Sequence, residues 1–332
     1  MPALRTEVTE LATALGLLGA RDDGIPTRCP PGLKYVSDDV WERVVHARSG
    51  FELSTQFDTA FENGAAMLHA ADGLRGRPPL LVEWRGPHQP PGDDVVPADL
   101  RLDHVYLISC KYASKILQNA GPARVFERLL TGDERSGTDW FQRVAPNEYQ
   151  YFFESARHRA VESLPVRVTD LSAQERRSLR EALRERQLPP DLREPWRALC
   201  ETVAERTAQL WAEHLVDRRL QLRLLWRLLR IGDTSYYVLG ADQAESLRIR
   251  VASAWDWMQA FELRAFSVGA RAAGQPEVTW TATVRQRRDQ LERVVAGHVE
   301  IRWSHGRFMG APEAKVYLDS PQREVPGYWP LE

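Results

Sequence analysis

The sequence predicts an α/β (α+β) fold: a mixed sheet flanked by helices, then a helical segment, then a β-rich C-terminal module. Three observations predict it. In the first 130 residues, stretches with apolar residues at helical spacing surround a short strand and an alternating hairpin. From Ser172 to Arg230 the chain is charged and helical in pattern. Beyond Gly232 it becomes a series of short β-branched and aromatic runs separated by Gly, Pro and polar turns. The expected division is therefore 1–160 for the helix-flanked sheet, 161–232 for a helical connector and 233–332 for the β-rich module.

Taken in order, residues 1–20 carry Leu11, Leu15 and Leu18 among small residues, as a short helix would. Asp22–Gly32 reads as loop. Ser37 is placed to cap a helix over 38–49, with Val40, Val44 and Val45 on its apolar side. A helix from about Ser54 carries Phe57, Phe61 and Met67 or Leu68 as a stripe, with Asp58 and Glu62 on a neighbouring flank; Gly64 argues against an unbroken helix. Leu80–Trp84 reads as a strand, and PHQPPGDDVVP as an exposed connection. Residues 114–130 read as a helix bent or restarted at Gly121-Pro122. The aromatic run Tyr149, Tyr151, Phe152 and Phe153 reads as core or domain interface rather than a base-stacking platform. Arg218, Arg219, Arg223, Arg227 and Arg230 recur at helical spacing as a solvated or interface face. In the C-terminal third a largely antiparallel sheet is expected, interrupted by a turn or helix at AWDWMQAF.

The hairpin is Pro97–Lys111, PADLRLDHVYLISCK. Ala98, Leu100, Leu102 and Tyr106, Ile108, Cys110 alternate as one apolar set. A two-residue turn at Asp103-His104 would place Asp99 opposite Ile108 and mix the faces. A three-residue connection, Asp103-His104-Val105, places Asp99 opposite Ser109 with Lys111 further along the same face, and keeps the apolar residues together.

Composition narrows the function classes. Hydrophobic residues are 43% and charged residues 27%, ordinary for a soluble protein. A formal net charge of −2 excludes a uniformly basic coat, so a nucleic-acid surface has to be a local patch. The three cysteines, Cys29, Cys110 and Cys200, are too dispersed for a zinc or disulfide framework and suit a reducing, cytoplasmic setting. Acidic Glu7 and Glu10 near the start argue against an export signal, and no apolar run suits a membrane span.

Asp99 is the residue type that holds a divalent cation, and Lys111 the type that neutralises a developing oxyanion or positions water. Phosphodiester hydrolysis uses that pair, because an already anionic phosphate gathers further charge in the transition state. The backbone carbonyl of Cys110 offers another hard ligand, and Mg2+ (or Mn2+) suits such oxygens plus retained water. The motif resembles the PD-(D/E)xK nuclease superfamily, the restriction-endonuclease-like proteins. Asp99 follows Ala98 where that family often has Pro, and Ser109-Cys110-Lys111 matches its xK strand with serine in place of the second acid. The resemblance implies that a carboxylate elsewhere replaces the missing one. Glu127 on PARVFERLL is one candidate. Glu62 is another, since many members place a glutamate on the helix preceding the sheet. Glu83, in the strand before the hairpin, is the third. The implied activity is Mg-dependent DNA cleavage in prokaryotic restriction or antiviral defence, with a homodimer presenting two sites to two strands.

A second candidate region is GHVEIRWSHGRF. Strand alternation puts His298, Glu300 and Arg302 on one face, followed by His305 and Arg307 in a turn, a set suited to phosphate or a base edge. A salt-bridged solvent face is the plain alternative. Trp255, Trp257 and Trp280 read either as core anchors or as a pocket for a flipped base. Two other functional classes fit the chain: a non-catalytic nucleic-acid-binding protein with a degenerate nuclease-like core, and a subunit of a complex assembled through the arginine/leucine helix.

Overall fold

The computed structural model describes residues 4–20, 25–50, 52–86, 97–112, 116–128, 139–160, 163–185, 187–242 and 245–332. The connection 87–96 and the start of the 114–130 segment lie outside the described residues. In chain order the elements are α1 (Leu4–Leu17), β1 (Leu33–Lys34), α2 (Asp38–Ser49), α3 (Ser54–His69), β2 (Val82–Trp84), β3 (Leu100–Leu102), β4 (Tyr106–Tyr112) and β5 (Ile116–Ala120). After a π-turn at Arg124–Arg128 come α4 (Trp140–Val144), α5 (Pro146–Arg157), α6 (Ala173–Ala182), α7 (Pro190–His214) and α8 (Arg218–Leu228). The chain then runs through β6 (Tyr236–Asp242), β7 (Glu245–Val251), α9 (Ala254–Ala260), β8 (Phe261–Ala272), β9 (Pro276–Gln286), β10 (Glu292–Arg302), β11 (Glu313–Leu318) and β12 (Tyr328–Pro330).

A mixed α/β fold with a helix-flanked sheet and a β-rich C-terminal region is what these elements build. The first sheet has the order β1-β2-β3-β4-β6-β7-β12. Strands β2, β3 and β4 form an antiparallel meander, and β6 lies parallel to β4. A parallel neighbour needs a long crossover, and here it carries β5 and helices α4 to α8. The second sheet is antiparallel, β5-β11-β10-β9-β8, and α7 packs on β8 and β9.

Two sequence expectations need correction, and the helix expected from about Ser54 is present. Residues 116–120 form a strand, not the first half of a helix, because Ala120, Asn119 and Gln118 pair with β11 at the edge of the second sheet. Residues 236–251 do not belong to a separate C-terminal module, since β6 and β7 extend the first sheet. Gly64 does not break its helix; α3 runs unbroken from Ser54 to His69. Its role is packing. A Cβ on Gly64 would sit 2.1 Å from the carbonyl oxygen of Thr13, and one on Gly16 would sit 2.1 Å from that of Phe61. The two glycines thus let the backbones of α1 and α3 touch.

That contact makes α1 a buried helix, solvent-shielded from Glu7 to Leu17. Its apolar residues join those of α2, α3 and the meander in one core: Leu11, Leu15, Trp41, Phe57, Leu100 and Ile108 are all nearly inaccessible. A larger core fills the other side, where Phe126, Trp140, Trp211, Tyr236, Trp257 and Trp280 meet. Tyr149, Phe152 and Phe153 lie in it, as expected of core aromatics, while Tyr151 is exposed.

Candidate active site

The hairpin takes the three-residue connection. Leu100, Arg101 and Leu102 face Ile108, Leu107 and Tyr106, leaving Asp103-His104-Val105 as the loop. Asp103 (φ 46°) and His104 (φ 60°) take up the left-handed backbone, residues of the type that tolerates it best. In this register Asp99 lies across from Ser109, and Lys111 follows Ser109 on the same face of β4.

β3 begins only at Leu100, while β4 continues to Tyr112. The strands therefore part at Asp99, whose backbone is fixed on both sides: its N–H donates to Ile108 (2.8 Å) and its carbonyl accepts from Arg85 (2.8 Å). The carboxylate then takes the place of the missing ladder. Oδ2 accepts the Cys110 N–H at 2.6 Å and the Ser109 hydroxyl at 3.3 Å. Within a strand a residue's N–H and C=O point to the same side, so the Cys110 carbonyl also faces the gap left by β3. The Cys110 thiol is buried, with its pKa pushed well up by desolvation, and fills the core.

Burial raises the pKa of Asp99 despite the opposing charges of Lys111 and Arg230 and the two hydrogen bonds. A plain cross-strand ion pair would hold it below its usual value. The second carboxylate is Glu10 on α1. It is 4% exposed, accepts the Trp84 indole N–H at 2.5 Å, and has its pKa pushed up to about 8 by burial and the neighbouring charge of Asp99. Lys111 opposes that shift. Glu10, Asp99 and Lys111 thus feel one another across the edge where α1 crosses the meander. Ser109, Lys111 and Arg230 line a cavity of about 30 Å3 against Tyr236 and Tyr328, room for on the order of two waters.

The sequence-selected glutamates do not join this cluster. Glu62 lies on the exposed side of α3. The inward residue is its neighbour Asn63, which donates to the Gly240 carbonyl (2.9 Å) and accepts from Arg248 (2.8 Å). Glu127 pairs with Arg143. Glu83 is buried, but Arg101 (2.5 Å) and His104 (3.1 Å) claim its carboxylate and hold its pKa down. Sequence reading missed Glu10, and it missed Arg230, taken as part of a solvated arginine face. Arg230 follows α8 in left-handed backbone (φ 57°), lines the cavity with Ser109 and Lys111, and its charge opposes the upward shift of Asp99.

The C-terminal set is split. His298 pairs with Asp319 (2.7 Å) and stacks on Tyr317; Glu300 and Arg302 pair at 3.4 Å. Arg302, His305 and Arg307 line a different, larger cavity beside α6. Trp257 and Trp280 are core residues, and Trp255 is 65% exposed, so the three do not form a base pocket.

Among the described residues, no group of three or more His, Cys, Asp or Glu side chains is arranged to hold a metal ion. Asp99 and Glu10 are a pair. Magnesium is commonly held by one or two carboxylates, with waters and substrate oxygens completing its shell, so two acids and a strand carbonyl match its donor preference. Among the described residues no helix is long and apolar enough to cross a membrane. Comparison with protein-family models, with curated proteins and with solved structures finds no match.

Proposed function

We propose that the chain is a metal-dependent endonuclease that hydrolyses DNA phosphodiester bonds where β3 and β4 part in its first sheet. What supports this reading is that two desolvated carboxylates, Glu10 and Asp99, are pushed up by burial, with Glu10 acted on by the charge of Asp99 and both by that of Lys111. It agrees with the PD-(D/E)xK resemblance in a particular way. Serine at position 109 removes the usual second acid, and a glutamate on a helix preceding the sheet stands near Asp99. That glutamate is Glu10.

Mg2+ held by Asp99, Glu10 and the Cys110 carbonyl would supply Lewis-acid charge at the scissile phosphate. The remaining work falls to the chain's own groups. Ser109 and the Cys110 N–H fix the Asp99 carboxylate. Lys111, beside a water-sized cavity, positions the attacking water and balances negative charge on the phosphate. Arg230 adds a second positive charge on that side. Trp84 holds Glu10 in place through its indole N–H.

The test is incubation of supercoiled plasmid with protein and Mg2+ or Mn2+. Nicking or linearisation that disappears with EDTA, and with Asp99→Ala or Lys111→Ala proteins that keep the wild-type circular dichroism, is the expected result. Intact plasmid with both metals would favour the non-catalytic nucleic-acid-binding alternative. Restriction or defence, and a homodimer acting on both strands, belong to the same proposal.

A further inference from the structure

A cavity of about 800 Å3 beside the second sheet has no use in the proposed cleavage and shares no residue with the cavity at Lys111. One wall is the end of α6 with residues 183–185, the other is the loop Trp303–Arg307, and Trp196 lies beneath. The two walls are fixed to each other. Arg307 Nη1 donates to the carbonyls of Leu183 (2.9 Å) and Glu185 (3.1 Å), and Arg176 donates to that of Phe308 (3.0 Å). Gly306, at φ 103°, lies so close to Arg180 that a Cβ would sit 2.7 Å from its Cγ. Such fixing means the cavity is formed before any ligand arrives.

Its chemistry has two parts. Arg180, Arg184, Arg302 and Arg307 line it with His305, against Glu181 and Glu185; Glu181 is shared by Arg180 and Arg184 (3.9 Å), and Arg302 also pairs with Glu300 outside the lining (3.4 Å), which leaves more cations than acids. In a chain whose formal net charge is −2, this is a local positive surplus. The apolar part is Leu183 with the indoles of Trp196 and Trp303, which stack on each other (5.9 Å between centroids, 27°). Both indole N–H groups are already donated, to Gly274 and Gly310, so the small part of each ring left exposed, 8%, offers carbon and no donor. A small inorganic anion would leave that surface and most of the volume unused; cavities of about 300–1,000 Å3 hold molecules of drug size.

We infer that this cavity binds a nucleoside phosphate, its phosphate held by Arg184 and Arg302 and its base against Trp196 and Trp303. The ligand is either a free nucleotide or one nucleotide unit of a single-stranded end.

Calorimetric titration of the full chain in EDTA tests this without any cleavage, so the outcome is independent of the nuclease reading. The probes are dAMP, a 5′-phosphorylated single-stranded DNA hexamer, and inorganic phosphate. Saturable binding of dAMP or of the hexamer is expected, weakened tenfold or more by Arg184→Gln combined with Arg302→Gln and unchanged by Arg219→Gln, an exposed arginine elsewhere. Arg184 is 85% exposed, so its replacement leaves the packing intact. Binding of dAMP marks a free nucleotide as a sufficient ligand; binding of the hexamer alone marks a polymer unit. No binding of either probe, equal binding by the double variant, or inorganic phosphate binding as tightly as dAMP would overturn the assignment.

Discussion

The second sheet and the Asp99 corner of the first treat their charged residues in opposite ways. On the second, acids are matched to neighbouring cations: Glu262 to Arg264 and Arg285, Glu277 to Arg271, Glu300 to Arg302, and Asp319 to His298. Glu262 is accordingly held below its ordinary pKa by its arginines. Where β3 and β4 part in the first sheet, burial outweighs the compensation available to Glu10 and Asp99, and both are pushed up. Cross-strand pairs on a partly solvated face stabilise a sheet by a few tenths of a kcal/mol each and need no further explanation. Two adjacent carboxylates kept from water oppose folding, and folds retain such costs mainly at functional sites. A ladder of charges is therefore weaker evidence of function than a pair of acids left in deficit.

The largest effect expected from breaking this contrast is on cleavage. Asp99→Ala or Lys111→Ala should lower plasmid cleavage by about 10^3-fold or more, as loss of a group acting on developing charge does, while His298→Ala on the second sheet should leave it within twofold. Glu10→Gln should lower cleavage by roughly 10^2-fold, on the same grounds, and Glu62→Gln should leave it unchanged. Equal losses in Glu62→Gln and Glu10→Gln would erase the distinction between the two helices.

Stability should move the other way. Glu10 ionises near its ordinary 4.5 when unfolded and at about 8 when folded. Between those values the folded chain holds a proton that the unfolded chain has released, so the contribution is complete below pH 4.5 and lost as pH rises toward 8. Asp99 is shifted in the same direction. Glu10→Gln should accordingly stabilise the chain at pH 8 by roughly 1–3 kcal/mol, with little change at pH 4, measured by urea unfolding at both pH values. A destabilised variant at pH 8 would mean that Glu10 is a satisfied structural residue. Mn2+ titrated calorimetrically at pH 7 in buffers of different ionisation enthalpy should release protons from the wild type, and fewer from Glu10→Gln.

The helix crossing tests how the site is held. Gly64→Ala forces α1 away from α3 and should cost on the order of 1–3 kcal/mol, with a loss of cleavage because Glu10 travels with α1. Ala65→Ser, one position along, should be close to neutral in both measurements.

How much of this was legible follows from where the information lies. The hairpin register was readable because period-two alternation, carried through Leu100, Leu102, Ile108 and Cys110, leaves only one loop length that keeps the apolar faces together. The start of α2 at Ser37 is local chemistry and was equally plain, and the helical pattern expected from Ser172 begins there as α6 behind a capping box. Glu10 was not. In sequence it is one acid in a small, apolar helix, and only the burial of α1 on every side gives it meaning. The available signal was the presence of Glu7 and Glu10 in such a helix; Glu7 finds Arg43 (2.8 Å), and Glu10 finds Asp99. Strands β5, β6 and β7 were misplaced for a different reason. Their partners lie far away in the chain, and alternation reports that a segment is a strand without reporting which sheet it joins.

The central claim is that Glu10 and Asp99 form one cation site. Anomalous diffraction from crystals soaked in Mn2+ addresses it directly. The account predicts a manganese peak between the Glu10 and Asp99 carboxylates, beside the Cys110 carbonyl. A peak at Glu127, Glu62 or Glu83 instead, or no peak near Asp99 with the site open to solvent, would contradict it.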